Sequence, residues 1–180
     1  MLASKFMKII KPILLIGAAL ALAASVRAET TVKLSNVHLC CKGCVTGVEE
    51  ALGKVSGASA SCDAGSGTVA LTAPDKAAAQ QAVDAIVAAG YFGTSSDPAI
   101  KVIDRSRAKD EKVKSLNVAG VHLCCGKCVK AVNKALATVP GVTANTAAPD
   151  AESFDVTGDF NAKAVFTALN EAGLAGRVGK

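Results

Sequence analysis

Residues 37–44 read VHLCCKGC, and residues 121–128 read VHLCCGKC. A shift of 84 residues superposes the two stretches, and the similarity extends over 21 positions, of which 12 are identical. It returns near the end of each copy, where residues 89–90 correspond to residues 172–173 after one residue of slippage. The chain therefore contains two copies of one unit, fewer than the three stacked copies that a solenoid requires.

Each copy has the hydrophobic pattern of a β-α-β-β-α-β unit. Val32 and Leu34 alternate with polar residues, as in a half-buried strand. Apolar residues then recur at helical spacing until Gly57 ends the helix. In the first copy we predict strands over 32–34, 58–62, 69–71 and from 91, and helices over 45–55 and 74–90. In the second we predict strands over 113–118, 142–146, 153–156 and 174–178, and helices over 129–139 and 161–172. The predicted fold class is α+β, with two tandem ferredoxin-like βαββαβ sandwiches.

The chain divides into four predicted segments: a signal peptide at 1–28, a first domain at 30–95, a linker at 96–112 and a second domain at 113–180. Residues 96–112 are predicted to be a linker because they are rich in charge and contain Pro98. The mixed charges over 104–114 predict a solvated segment there. The one apolar stretch of the linker, residues 100–103, offers an alternative, in which it completes the last strand of the first domain.

The N-terminus has the pattern of an export signal. Lys5, Lys8 and Lys11 precede an uncharged stretch over 12–26, and residues 26–28 place small side chains where a signal peptidase cleaves. The apolar run of about 15 residues is shorter than the ~20 that a membrane-spanning helix needs. We expect cleavage after residue 28 and a periplasmic or otherwise extracytoplasmic protein, with an uncleaved anchor as the alternative.

Charge and aromatic content argue against nucleic-acid binding. Without residues 1–28 the formal net charge falls from +5 to +1, because four of the basic residues belong to that segment. A near-neutral chain lacks the positive surface that binds phosphate groups. An aromatic share of 3% with no Trp also leaves few rings on which bases could stack.

Six of the seven cysteines form two compact groups. These are Cys40, Cys41 and Cys44 in the first copy and Cys124, Cys125 and Cys128 in the second. A disulfide framework links distant segments, whereas these thiols are concentrated at two points, as soft metal ligands are. A local disulfide within each group is the alternative in an oxidising compartment. We predict that Cys62, the seventh cysteine, is a buried strand residue.

The position of each cysteine group predicts a metal site. Cys41 directly precedes the first predicted helix and Cys44 lies in its first turn, so the CxxC spacing brings both sulfurs to one side. The unpaired N–H groups and partial positive charge of a helix N-terminus stabilise thiolate over thiol. Thiolate is the form that binds metal, and soft sulfur suits Cu(I), with Zn(II) and Hg(II) as alternatives.

A βαββαβ unit with CxxC in its first loop resembles the heavy-metal-associated (HMA) domain family of soluble metallochaperones, periplasmic mercury-binding proteins and metal-pumping ATPase tails. The resemblance covers nearly all of the chain after residue 28, twice. It depends on residues 41–44 with 90–91, and on residues 125–128 with 173–174. It implies that the bound ion passes to a partner domain by ligand exchange. It also implies the core ligands, which are Cys41, Cys44, Cys125 and Cys128.

The sequence departs from the family pattern just before each CxxC motif. Leu39 and Leu123 stand where the family has Met, a change that conserves side-chain volume. Cys40 and Cys124 are additional. They are either third ligands, which suits trigonal Cu(I), or small loop residues, because adjacent side chains of an extended segment diverge.

The two histidines, His38 and His122, both lie in the cysteine loops. We predict that they lie beside the metal as hydrogen-bonding groups, with a Cys3His zinc site as the alternative. The chain has no other histidine and no Ser-His-Asp or paired-acid pattern. We therefore predict that it is not an enzyme.

The predicted function is capture, buffering or transfer of a soft metal ion, with Cu(I) first and Zn(II) or Hg(II) behind. The predicted partners are the ion itself and either a membrane metal transporter or another metal-binding domain. Two sites on one chain either raise the effective concentration at a partner or hold one ion between the domains. The alternative functions are a thiol–disulfide oxidoreductase with CxxC at a helix N-terminus and a structural adaptor tied by disulfides.

Overall fold

The computed structural model describes residues 28–180. The predicted signal peptide, residues 1–28, lies outside the described residues except for Ala28 at its end. In the described part of the chain, no helix combines the length and the apolar character needed to cross a membrane. The helices and strands of residues 28–180 form two consecutive units, each with the order β-α-β-β-α-β.

The first unit carries its helices on one antiparallel sheet with the strand order β2-β3-β1-β4. Its elements are β1 (Thr30–Ser35), α1 (Lys42–Leu52), β2 (Ser59–Asp63), β3 (Thr68–Ala73), α2 (Lys76–Ala88) and β4 (Thr94–Ser95). Val32 and Leu34 of β1 are buried while the residues between them are exposed, so the alternation in the sequence sets which face of the strand meets the core. Asp75 caps α2 by accepting a hydrogen bond from the Ala78 N–H (2.8 Å).

The second unit repeats this plan with the strand order β6-β7-β5-β8. Its elements are β5 (Lys112–Ala119), α3 (Gly126–Leu136), β6 (Val142–Asn145), β7 (Ser153–Asn161), α4 (Ala162–Glu171) and β8 (Arg177–Val178). Asn161 ends β7 and caps α4, accepting a hydrogen bond from the Ala164 N–H (3.1 Å). These two sheets confirm the predicted α+β class and the βαββαβ order.

The two units share a topology but differ in the side chains that fill their cores. In the second unit Phe154, Phe160 and Phe166 are all buried. In the first, α2 instead turns small residues such as Ala79 and Ala82 toward the sheet. Because larger buried side chains remove more apolar surface from water, we expect the second unit to be the more stable of the two.

The last strand of each unit is shorter and begins later than predicted. We predicted strands from residue 91 and over 174–178, whereas the structure begins β4 at Thr94 and β8 at Arg177. The reason is that Tyr91 and Leu174 form an antiparallel bridge with each other. The backbone just after α2 and α4 therefore connects the two units before each chain segment returns to its own sheet.

Most of the segment between the units is exposed, although two of its residues are buried. Ile100 and Ser106 are both buried. Gln80 of α2 exchanges two hydrogen bonds of 2.8 Å with the backbone of Lys101, and Arg105 pairs with Asp84 of α2 (2.8 Å). The polar backbone is satisfied by helix side chains, which is why this segment needs no strand of its own. The alternative, in which residues 100–103 complete a strand, is wrong.

Candidate metal centre

Each cysteine loop joins the first strand of its unit to the following helix. Cys41 and Cys125 are the N-cap residues of α1 and α3, with extended backbone (φ −164° and −166°). Their carbonyl oxygens accept hydrogen bonds from the N–H groups of Cys44 and Cys128 (3.1 Å and 3.0 Å), which closes the first turn. The CxxC motif of each unit therefore lies at a helix N-terminus, where the sequence predicted it.

The residues before each CxxC motif alternate between the core and the site. Leu39 and Leu123 are buried and anchor their loops. This is expected, because leucine has nearly the same side-chain volume as the methionine of the family pattern. Cys40 and Cys124 follow on the opposite side of an extended backbone and are only partly buried. The alternation therefore directs these two additional cysteines out of their own core.

Six cysteine sulfurs from the two units come together in one group, which we call the sulfur cluster. Its members are the Sγ atoms of Cys40, Cys41, Cys44, Cys124, Cys125 and Cys128. All six are free thiols in the structure. Inside each unit the first and third sulfurs lie 3.7 Å apart and the second and third 3.9 Å apart. Between units, Cys40–Cys128 and Cys41–Cys124 are even shorter, at 3.5 Å. The two predicted cysteine groups therefore form a single cluster.

Burial encloses the sulfur cluster between the units. Cys44 and Cys128 are 0% exposed, and they face each other with their Sγ atoms 3.9 Å apart. The other four cysteines are partly buried. A bound ion would be shielded from water on the side of Cys44 and Cys128, where electrostatic interactions are stronger.

Proximity changes the acidity of the thiols. The hydrogen bond from the Cys128 thiol lowers the pKa of Cys44 to about 2, and the same bond raises the pKa of Cys128. Burial raises the pKa of Cys40 to about 12 and also raises that of Cys124. Ionising all six thiols together is therefore opposed by desolvation and like-charge repulsion, so the fully ionised cluster needs cations.

The helix N-terminus acts on Cys125 as the sequence predicted. The backbone N–H groups of Cys128 and Lys127 lower the pKa of Cys125 to about 6. Both N–H groups belong to the first turn of α3, where the positive end of the helix dipole favours an anion. The protein backbone therefore prepares a thiolate at the edge of the sulfur cluster before any metal arrives.

The two histidines approach the sulfur cluster from opposite units. A ring nitrogen of His38 lies within 4.8 Å of the sulfurs of Cys40 and Cys128. The Nε2 atoms of His38 and His122 are both buried and have no hydrogen-bond partner among the described residues. Burial also lowers the pKa of His38, which favours the neutral ring. Such a nitrogen is satisfied if it donates to a thiolate or binds a metal.

Two glycines let the backbones of the units touch. The Gly173 carbonyl accepts hydrogen bonds from His38 N–H (3.2 Å) and Phe92 N–H (3.0 Å), and the Gly90 carbonyl accepts one from Ala175 N–H (2.9 Å). Both glycines have positive φ, +96° at Gly90 and +79° at Gly173, and a Cβ on either would overlap backbone of the other unit. Only glycine permits this approach.

Tyr91 makes the contact between the units asymmetric, because its counterpart in the second unit is Leu174. The Tyr91 ring is fully buried and stacks on His122 with ring centroids 4.7 Å apart. Its hydroxyl donates to the Cys44 carbonyl (2.9 Å), and Gly47 leaves room for it, since a Cβ there would overlap the Tyr91 oxygen. Tyr91 thus links α1 of the first unit to the cysteine loop of the second.

Residues 115–173 match the profile of the heavy-metal-associated domain. The second unit is a heavy-metal-associated domain. Metal binding is therefore its activity at the level of the family, and the first unit repeats its topology and its CCxxC motif. No curated protein matches the sequence significantly.

Two solved structures are similar to the chain at low scores. One is the solution structure of the N-terminal soluble domains of Bacillus subtilis CopA, with 15% identity, 85% of this chain and 95% of that chain covered, and a TM-score of 0.31. The other is the crystal structure of the first two RRM domains of the yeast poly(U)-binding protein Pub1, with 10% identity, coverage of 83% and 98%, and a TM-score of 0.23. At these scores neither similarity supports an inference about this chain.

The sequence predicted the two cysteine groups but not that they come together in one cluster. It placed each CxxC motif on its helix and left open whether Cys40 and Cys124 join it. For Gly90, Tyr91 and Gly173 the sequence indicates only helix ends and family markers, not a contact between the units. Cys62 lies in β2, away from the sulfur cluster, and is half-buried rather than buried. The ligand roles of the clustered cysteines and the two histidines stay predictions.

Proposed function

We propose that this chain captures Cu(I) and holds it between its two units. The observation that supports this proposal is the convergence of six cysteine sulfurs into contacts of 3.5–3.9 Å across the unit boundary. Thiolate-only sites of low coordination number select soft ions, Cu(I) first.

The sulfur cluster favours three-coordinate over four-coordinate metal. The sulfurs form groups of three that lie within 4.8 Å of one another, among them Cys40-Cys41-Cys44 and Cys44-Cys124-Cys128. A structural zinc site requires four ligands at the corners of a tetrahedron, all of them mutual neighbours. Three thiolates around one ion suit trigonal Cu(I), so Zn(II) is the weaker candidate and Hg(II) remains a competitor to be measured.

The burial of part of the sulfur cluster favours retention of the metal ion over its transfer to a partner. A partner domain that exchanges ligands must reach the metal through an open side, and Cys44 and Cys128 are fully covered while the units are in contact. We therefore propose buffering or storage as the main role, with release to a transporter or another metal-binding domain only after the units separate. The metal is the cargo, and the chain performs no catalytic step on it.

The remaining roles of the site residues follow from the same arrangement. We propose all six clustered cysteines as ligands and the two histidines as neighbouring donors. The buried Nε2 atoms of His38 and His122 lack partners, and an N–H donated to a thiolate sulfur would satisfy each of them. We also propose export, which places the site in an extracytoplasmic compartment; the basis for this is the pattern of residues 1–28.

Anaerobic metal titration tests the proposed function. The fully reduced full chain is mixed with Cu(I), Zn(II) or Hg(II) in competition with a chelator of known affinity. We expect Cu(I) to bind more tightly than Zn(II), and the variant carrying both Cys44→Ser and Cys128→Ser to lose most of this affinity. Cys62→Ser is the matched control and should bind like the unmodified chain. Failure of the reduced chain to bind Cu(I) would overturn the proposal.

The oxidoreductase alternative has its own signature. A chain that cycles between dithiol and disulfide reduces insulin disulfides and has a measurable two-electron potential. Six thiols in mutual contact offer many competing disulfides, so a single two-thiol cycle is not favoured here. Insulin reduction that depends on Cys41 and Cys44 would support that alternative over metal binding.

A further inference from the structure

The six sulfurs have the connectivity of an octahedron. Ten Sγ–Sγ pairs measure 3.5–3.9 Å, and the adjacent residues Cys40–Cys41 and Cys124–Cys125 lie within 4.8 Å. Each sulfur thus adjoins every other sulfur except one. The three pairs that do not adjoin are the opposite corners, namely Cys40/Cys124, Cys41/Cys128 and Cys44/Cys125.

Alternate faces of this octahedron are ready-made three-sulfur sites. Three of them are the cysteine groups whose sulfurs lie within 4.8 Å of one another, and the fourth has edges of 3.5, 3.6 and 3.9 Å. The four faces are Cys40-Cys41-Cys44, Cys41-Cys124-Cys125, Cys44-Cys124-Cys128 and Cys40-Cys125-Cys128. Each sulfur belongs to two of these faces. Exchanging the two units gives a second, equivalent set of four.

The edge lengths fit trigonal metal–thiolate bonds. A metal–sulfur distance of about 2.3 Å in a trigonal plane requires sulfurs about 4.0 Å apart, a few tenths of an ångström beyond the observed 3.5–3.9 Å. No four sulfurs of an octahedron are mutual neighbours, because any four include an opposite pair. A tetrahedral S4 site is therefore not available without rearrangement, whereas four trigonal sites are available together.

We propose that the two units bind four Cu(I) ions as one Cu4S6 cluster, with one ion on each alternate face and each cysteine sulfur bridging two ions. This inference rests on the proposed function, Cu(I) binding, and specifies its stoichiometry and its form. It differs from two independent CxxC sites, one in each unit, because every ion but one draws ligands from both units.

The charge balance of the cluster accounts for the crowding of six thiols. Six Cys–SH groups and four Cu⁺ ions give [Cu4(S–Cys)6]²⁻ and six protons, with no change of oxidation state. Four cations thus offset the repulsion that opposes ionisation of the empty cluster. The remaining double negative charge lies against the N-termini of α1 and α3, where the helix dipole is favourable to anions.

Native mass spectrometry of the full chain, reduced and titrated with Cu(I) without oxygen, tests the stoichiometry. We expect the four-copper species to dominate, with little of the one-, two- and three-copper species. X-ray absorption should show copper bound to sulfur alone, together with a short copper–copper distance. The centres of alternate faces of an octahedron with edges of 4.0 Å are about 2.7 Å apart.

Single cysteine variants separate one cluster from two independent sites. Cys40→Ser removes one corner and, in either set of alternate faces, leaves two faces intact, so copper should fall from four ions to two. Cys124→Ser should have the same effect, and Cys62→Ser should keep four. Two coppers in the unmodified chain without copper–copper scattering would overturn the cluster but keep Cu(I) binding. No bound copper at all would overturn the proposed function itself.

Discussion

Gly173→Ala is expected to separate the two units while leaving each of them folded. The residue has φ +79°, and an L-residue in the left-handed region costs roughly 1–2 kcal/mol. Its Cβ would overlap the carbonyl oxygen of Asn36 in the other unit, a backbone atom that cannot swing aside. Separation also loses the two hydrogen bonds that its carbonyl accepts from His38 and Phe92, each contributing about 0.5–1.5 kcal/mol.

Losing these two hydrogen bonds weakens the contact between the units by roughly 1–3 kcal/mol, whereas the left-handed φ is a cost to the end of α4 itself. Small-angle X-ray scattering of the reduced, metal-free chain should show a larger radius of gyration, with far-UV circular dichroism unchanged. Gly126→Ala is the matched control, because it lies at the start of α3 with nothing within 4 Å of its added Cβ. If Gly173→Ala scatters like the unmodified chain and binds the same amount of copper, the account of the contact is wrong.

Three further substitutions test the fold around the site. Phe160→Ala, which empties a fully buried position, should lower the free energy of unfolding of the second unit by about 3–5 kcal/mol in urea denaturation; a loss under 1 kcal/mol would contradict the described core. Tyr91→Phe should cost only about 0.5–1.5 kcal/mol, since it removes the hydrogen bond to Cys44 but keeps the ring, and a loss equal to that of Tyr91→Ala would contradict this. Asp84→Asn should cost less than about 1 kcal/mol and lose its effect in high salt, because the pair with Arg105 is partly exposed.

The fold could be predicted from the sequence because its signals are local. Alternation at Val32 and Leu34 identified a strand, and Gly90 marked the end of α2 to within two residues, whereas α1 ends at Leu52, before the expected stop at Gly57. Because the sequence repeats, the same signals also predicted the elements of the second unit. Errors arose where a contact with the other unit decided the local structure. Residue 91 begins a bridge to Leu174 instead of a strand of its own sheet, and no pattern within one copy could indicate that.

The cysteine groups could be identified from spacing, but their union could not. Each CCxxC motif is complete in its own loop, and sequence similarity between copies carries no information about how the copies face each other. One signal was present. Cys40 and Cys124 alternate with buried leucines, so the side chain of each cysteine points away from its own core. A cysteine that points out of its domain beside a metal motif indicates that a group of another domain lies opposite it.

The direct contact between the units is small. Bound metal would therefore decide whether the units stay together. Apart from the sulfur cluster, the contact includes the Tyr91 ring, a few backbone hydrogen bonds around Gly90 and Gly173, and a hydrogen bond from the Asn36 side chain to the Glu171 carbonyl. A ligand that binds only the closed arrangement stabilises it in proportion to the logarithm of its concentration over its dissociation constant. Under the proposed function, copper that bridges cysteines of both units is such a ligand. The empty chain should therefore open readily to admit metal, whereas the loaded chain should stay closed, which is the behaviour of a reservoir rather than of a shuttle. Limited proteolysis or amide hydrogen exchange at residues 90–93 and 173–176 reports this difference, and equal protection with and without copper would contradict it.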